Sequence, residues 1–354
     1  MLVRRPRPRS LAALAVVALV SVLVAACSPS GTAAPSGAPA SSRAPSSPAA
    51  TKLTVGLGYI PSVQFAAFYR ADQAGYYAAE GVAVTFQNEI DANLVPKIGA
   101  GAVDLGMSDG TSVIPAVSQG IPIKYLATIY GQFPSIVFAK ASSGIDSADD
   151  LVGRKLGIPG KYGSSWIMLQ ALMASAKRSV DDVKVIEYPD FGQGAAVSEG
   201  AVDAATGFVN NEPVQLGLTG EKVNVLRIDE FTPLPGPGIA AGTATIATKR
   251  DAVAGFIRAT FRAMNEIAAN PTVGLDAAIQ AVPELGKDRA KQAAILDATI
   301  AAWRPKGATA GAPITGVVDQ AAWQASLDFM TSLKLVPKPV TVGDLVDPSF
   351  IAAS

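Results

Sequence analysis

Five short segments of the chain mix flat aromatic rings with small polar side chains, which is the chemistry of a binding surface. They are Tyr59-Ile60-Pro61-Ser62-Val63-Gln64-Phe65, Ser108-Asp109-Gly110-Thr111, Tyr130-Gly131-Gln132-Phe133-Pro134, Pro159-Gly160-Lys161-Tyr162-Gly163-Ser164-Ser165-Trp166 and Asn210-Asn211-Glu212-Pro213. Tyr59, Phe65, Tyr130, Phe133, Tyr162 and Trp166 offer faces on which an aromatic ligand stacks. Gln64, Ser108, Asp109, Ser164, Ser165, Asn210, Asn211 and Glu212 supply donors and acceptors for ring heteroatoms or hydroxyls. Lys161 is the one cation in these segments, which disfavours a strongly anionic ligand. Taken singly, each residue has a structural explanation of about equal weight: rings fill cores, and Asn before Glu-Pro caps a helix. The recurrence of aromatic, glycine and amide residues in all five segments favours a site.

Catalytic chemistry has little to draw on. The chain contains no histidine, which removes the usual general base, the commonest metal ligand and every Ser-His-Asp triad. Cys27 is the single cysteine, so neither a disulfide within the chain nor a thiolate zinc site is available, and no acidic loop has calcium-binding spacing. No metal, no cofactor and no enzyme activity are expected.

The elements that must position these segments alternate in type. Apolar β-type runs are expected at 53–57, 82–86, 103–107 and 123–129, with helical spacing at 65–79, 94–100 and 111–119 between them. A second run follows: strands at 155–158, 183–188 and 202–209, with helices at 166–176 and 194–199. Gly101-Ala102-Val103-Asp104 recurs as Gly200-Ala201-Val202-Asp203, 99 positions later, each between a short helix and a strand. The pattern predicts two similar α/β lobes, each with a mainly parallel sheet flanked by helices. A strand at 242–248 should lead into a long helix that Asn270-Pro271 ends, with further helices at 290–303 and 319–335 covering lobe one. Lobe one is thus expected at 52–140 plus 238–354 and lobe two at 141–237, joined by two crossing strands. In parallel sheets ligands bind at the carboxyl ends of the strands, and the five segments lie at such ends.

The N-terminus is of another kind. Arg4, Arg5, Arg7 and Arg9 precede an apolar run, and Leu23-Val24-Ala25-Ala26-Cys27 closes it. This resembles a lipoprotein signal peptide (1–26) with Cys27 as the lipidated residue. Residues 27–51 are almost entirely Ser, Pro, Ala and Gly and read as a tether. Basic and acidic residues balance at 29 each, and without the four signal arginines the remainder is mildly acidic. That balance does not suggest nucleic acid.

Several motifs together resemble the periplasmic solute-binding proteins that include binders of aliphatic sulfonates and of thiamine pyrimidine precursors. They are Gly58-Tyr59-Ile60-Pro61 with Gln64-Phe65, Ala74-Gly75-Tyr76-Tyr77 with Glu80-Gly81, Gly101-Ala102-Val103-Asp104-Leu105-Gly106 and Gln119-Gly120-Ile121-Pro122. Asp149-Asp150-Leu151-Val152-Gly153-Arg154-Lys155-Leu156-Gly157 and Pro339-Val340-Thr341-Val342-Gly343-Asp344-Leu345-Val346 follow the same pattern. The resemblance implies an α/β two-lobed periplasmic-binding-protein fold of type II. Gly157-Ile158-Pro159-Gly160 with Tyr162-Gly163, and Asn210-Asn211-Glu212-Pro213-Val214-Gln215, look most like the riboflavin-binding branch. The ligand implied is flavin-like, with a thiamine pyrimidine precursor as runner-up and a sulfonate third. The partners implied are an ABC permease and its ATPase, with a monomeric protein lipid-anchored at the outer face of the cytoplasmic membrane. Relatives of this fold that make the thiamine pyrimidine use a histidine of their own, which this chain lacks. A surface lipoprotein that merely keeps the fold is the remaining alternative.

Overall fold

The computed structural model of the protein describes residues 49–88, 91–231, 234–309 and 311–351. The expected signal peptide, Cys27 and most of the tether lie outside the described residues. β1 (Thr51–Gly56), β2 (Val82–Gln87), β3 (Leu105–Ser108) and β4 (Ile123–Thr128) form where Val, Ile, Leu and aromatic residues cluster. Between them run α1 (Ala66–Gln73), α2 (Tyr76–Ala79), α3 (Asp91–Gly99) and α4 (Gly110–Ser118). The second set comprises β5 (Ser135–Lys140), β6 (Lys155–Ile158), α5 (Gly163–Ser175), β7 (Lys184–Glu187), α6 (Gln193–Glu199), β8 (Ala204–Phe208), α7 (Glu212–Leu218) and β9 (Val223–Arg227). The chain returns through β10 (Gly238–Gly242) into α8 (Thr243–Ala269), α9 (Pro271–Ala281), α10 (Arg289–Trp303), α11 (Gln320–Ser332) and α12 (Val342–Leu345).

Among the described residues these strands make two five-stranded sheets, ordered β2-β1-β3-β10-β4 and β7-β6-β8-β5-β9. β1, β2 and β3 are parallel, as are β6, β7 and β8. One antiparallel strand enters each sheet: β10 places Ala240 opposite Gly106 and Tyr125, and β5 places Val137 opposite Thr206 and Leu226. These two are the strands that follow each crossing between lobes. The crossings run side by side, since the N–H groups of Ile129 and Tyr130 both donate to the Pro237 carbonyl (3.2 and 2.8 Å).

Each sheet is covered on both faces. Along β10, Ile239 packs in the apolar cluster that α1, α8, α9 and α10 close, whereas Ala240 joins the cluster on the side of α3, α4, α11 and α12. Phe256 of α8 stacks on Tyr77 (centroids 5.0 Å apart, planes at 7°), and Thr260 Oγ1 lies 2.9 Å from the otherwise buried Tyr77 hydroxyl. Burial of a ring of this size contributes about 1.5–3 kcal/mol. In lobe two, Val137 faces the core under α5, and Ile136 and Phe138 face the core under α6.

The internal repeat has a structural cause. Asp104 Oδ2 accepts from the Thr54 N–H of β1 (2.9 Å), and Asp203 Oδ2 accepts from the Lys155 N–H of β6 (2.8 Å). In each copy the aspartate satisfies a strand N–H and returns its own N–H to the same residue's carbonyl (3.0 and 2.9 Å). The valine before it is buried, and the glycine opening the motif is left-handed, at φ +74° and +76°.

Several sequence expectations need correction. β5 and β9 were not among the expected strands, and β5 belongs to the second sheet, so Ser135–Lys140 lies in lobe two rather than in lobe one up to 140. Its residues are buried on both faces, which hides the period-two signal. The strand expected at 242–248 ends at Gly242, and residues 243–248 are helical despite their three threonines. The helix is interrupted at Lys249 (φ −130°, ψ 28°), whose Nζ reaches Asp104 Oδ1 (2.7 Å) and the Lys52 carbonyl (3.0 Å). The helix expected over 65–79 is divided at Gly75, and Pro271 begins α9 instead of only ending α8.

Candidate functional site

Between the two sheets lies a cavity of about 950 Å³, open solvent at its mouth included. Its walls are the carboxyl ends of β1 and β3 on one side and of β6, β7 and β8 on the other. Tyr59, Gln64 and Phe65 enter from the segment after β1, and Ser108 and Asp109 from the junction of β3 with α4. Tyr130 enters from the first crossing. Lobe two contributes Tyr162, Ser164 and Ser165 at the start of α5, with Asn211 and Glu212 at the start of α7.

Three of the expected site residues stand elsewhere. Phe133 is 2 % exposed in the lobe-two core, where its carbonyl accepts from Arg227 Nη2 (3.3 Å) and ties β9 to the crossing. Trp166 sits one turn into α5 and packs on the same core, with Lys161 Nζ 5.7 Å from its ring centroid. Asn210 is buried behind the cavity wall and reaches across the lobes: its Nδ2 donates to Gln64 Oε1 (3.1 Å) and to Thr299 Oγ1 of α10 (2.8 Å). Neutral buried hydrogen bonds of this kind fasten one lobe to the other.

Other lining residues were missed. Phe191 and Gln193 line the cavity from the junction of β7 with α6, and Leu57, Met107 and Phe208 add apolar surface. The Phe191 ring meets Tyr59 edge to face across the lobes, centroids 4.8 Å apart and planes at 79°. The signal was present: Tyr188-Pro189-Asp190-Phe191-Gly192-Gln193 follows a strand that was expected, at the same sheet edge as the other loops.

No Lys or Arg lines the cavity among the described residues. Two carboxyls do. Asp109 caps α4, its Oδ1 accepting from Thr111 Oγ1 (2.6 Å) and the Ser112 N–H (3.1 Å), and burial raises its carboxyl pKa. Glu212 Oε2 accepts from the Phe208 N–H (2.9 Å), and burial pushes its carboxyl up to about 7 against that bond. A Cβ at Gly207, within β8, would stand 2.6 Å from that same oxygen, so a larger residue there would push the Glu212 carboxyl aside. The Tyr59 phenol is raised by burial and by the nearby Glu212 charge, and Tyr130 by burial, so both rings stay neutral. The arrangement can sandwich a flat, neutral molecule between aromatic walls and satisfy its polar edge from both lobes.

Residues 62–273 match the family model described as NMT1/THI5 like. The chain is 35% identical over 339 residues to the riboflavin-binding protein RibY of Chloroflexus aurantiacus, covering 94% of this chain and 95% of that one. It is 29% identical over 226 residues to the 4-amino-5-hydroxymethyl-2-methylpyrimidine phosphate synthase of Legionella pneumophila, covering 61% and 69%. In fold it is similar to the alkanesulfonate-binding protein SsuA of Xanthomonas axonopodis pv. citri bound to MOPS, with a TM-score of 0.66 and 18% identity over 84% of this chain and 98% of that one.

Proposed function

Since the chain belongs to the NMT1/THI5-like family, we propose that it is an extracytoplasmic solute-binding lipoprotein that captures a small aromatic ligand, riboflavin or a close analogue, for an ABC importer. The observation that carries this reading is the interlobe cavity walled by Tyr59, Phe65, Tyr130, Tyr162, Phe191 and Phe208, with no Lys or Arg among its described lining residues. An isoalloxazine is flat, uncharged and large enough to need several rings around it. The ribityl chain needs the hydroxyl and carbonyl partners that Ser164, Ser165, Asn211 and Glu212 offer. The 35% identity to a riboflavin-binding protein over nearly the whole chain supports the same ligand.

A sulfonate fits less well, because a fixed negative charge would face Asp109 and Glu212 without a cation to balance it. Pyrimidine synthesis of the histidine-dependent type has no source in a chain without histidine. Under this reading Cys27 carries the lipid, residues 27–51 are the tether, and the permease and ATPase of an importer are the partners of the monomeric loaded protein.

The test is a thermal-shift panel on the full chain in detergent with riboflavin, a thiamine pyrimidine precursor and an alkanesulfonate. Riboflavin is expected to raise the Tm by several degrees at about 100 times its Kd, which corresponds to about 2.7 kcal/mol. A shift with the sulfonate and none with riboflavin would overturn the ligand assignment. No shift with any ligand would favour a surface protein that only keeps the fold.

A further inference from the structure

Gln193 is the first residue of α6 and is 2 % exposed, yet it lines the cavity. Its Nε2 donates to the Thr206 carbonyl (3.3 Å), and since only the amide nitrogen can donate there, the bond determines which end of the side chain is oxygen. That oxygen, Oε1, is buried and has no partner among the described residues. A buried amide oxygen left without a donor is destabilising, and such atoms in native structures call for an explanation.

The local backbone is arranged to hold it there. A Cβ at Gly157 of β6 would come within 3.0 Å of Gln193 Cβ and 3.3 Å of the Tyr188 ring, so a glycine is what lets α6 approach this closely. Phe191, two residues before, adopts a left-handed conformation (φ +60°) that a bulky aromatic rarely takes. This turn sets both the Phe191 ring and Gln193 at the cavity wall, and strain of this sort gathers at ligand-binding positions.

The neighbours define what Oε1 would meet. β6 leads through Pro159 into Gly163, Ser164 and Ser165, which line the cavity at the start of α5, where backbone N–H groups have no helical partner. Gln193 lines the same cavity, so its wall carries an acceptor as well as these donors. The aromatic pair Tyr59–Phe191 adjoins it. An acceptor and N–H donors in one cavity with an aromatic wall are complementary to the edge of a ring imide, which presents one N–H between two carbonyls.

We propose that Gln193 is the specificity-determining residue of this cavity, its Oε1 accepting the imide N–H of the ligand's ring. The proposal rests on the reading of the cavity as a flavin-like site. It is tested by titrating riboflavin and 3-methylriboflavin, in which that N–H becomes N–CH3, against the full chain in detergent and against Gln193→Leu. The unaltered protein is expected to prefer riboflavin by about 10- to 100-fold, and Gln193→Leu to lose most of that preference. Gln193→Met, closer in shape, takes its place if the leucine variant does not fold. Equal affinity of the unaltered protein for the two compounds overturns the proposal while leaving the flavin reading intact. A methyl penalty that persists undiminished in the variant also overturns it, because the clash then lies elsewhere. If riboflavin does not bind at all, the reading of the cavity fails, and the proposal with it.

Discussion

Tyr162 and Trp166 are four residues apart and look interchangeable in sequence, but the start of α5 turns one toward the cavity and the other toward the lobe-two core. Tyr162→Ala should therefore weaken riboflavin binding by about 1–3 kcal/mol. Trp166→Ala should leave affinity within about threefold and lower the Tm instead, as a truncated core ring does. The reverse pattern in titration and melting would move the stacking surface. Glu212 is titratable at neutral pH: burial carries it from the ordinary 4.5 to about 7. The folded state then holds its proton more tightly than the unfolded one, so this contribution is full below pH 4.5 and is lost as pH rises through 7. On the order of 1–3 kcal/mol is at stake, reduced by the side chain's contact with the open cavity. Melting at pH 5 and pH 8 should show a larger loss for the unaltered protein than for Glu212→Gln, and equal losses would contradict the assignment. At this scale the sequence was informative about residue type and less so about direction. Tyr59, Gln64, Phe65, Ser108, Asp109, Tyr130, Tyr162, Ser164, Ser165, Asn211 and Glu212 line the cavity. Phe133, Trp166 and Asn210 do not, because which way a side chain points beside a strand or helix start depends on the neighbouring element, not on its own loop.

Asn210 belongs to the scale of elements, since it joins the end of β8 to α10 and to the short helical turn that carries Gln64. Removing its amide leaves Thr299 and Gln64 without the donor that links the lobes. Asn210→Ala is expected to speed riboflavin release by about 5- to 100-fold with a smaller change in capture rate, as seen by stopped-flow displacement. An unchanged release rate would mean that the bond does not hold the lobes. The alternation of strands and helices was legible, as was the repeat built on Asp104 and Asp203. The two strands that turn each sheet from parallel to mixed were harder to see. β5 is a continuous apolar run, and the β-branched residues after β10 favour a strand locally while the packing makes them helix. Neither pairing can be read from spacing, because each joins segments more than 60 residues apart.

The whole molecule places an aromatic cavity, with no Lys or Arg among its described lining residues, at the junction of two α/β lobes whose crossings lie side by side. Paired crossings suit a hinge, and Tyr59–Phe191 and Asn210–Gln64 are contacts that bridge the two lobes. Division into two lobes followed from length and from the repeated order of elements, whereas the contacts between lobes depend on tertiary geometry that no local pattern carries. The central claim is that this cavity takes riboflavin, and titration of riboflavin fluorescence with the full chain in detergent tests it most directly. Saturable quenching with one site per chain and a Kd at or below the micromolar range is the predicted result, since rings stacked on the isoalloxazine quench its emission. Unquenched fluorescence at protein and riboflavin concentrations well above micromolar would contradict it.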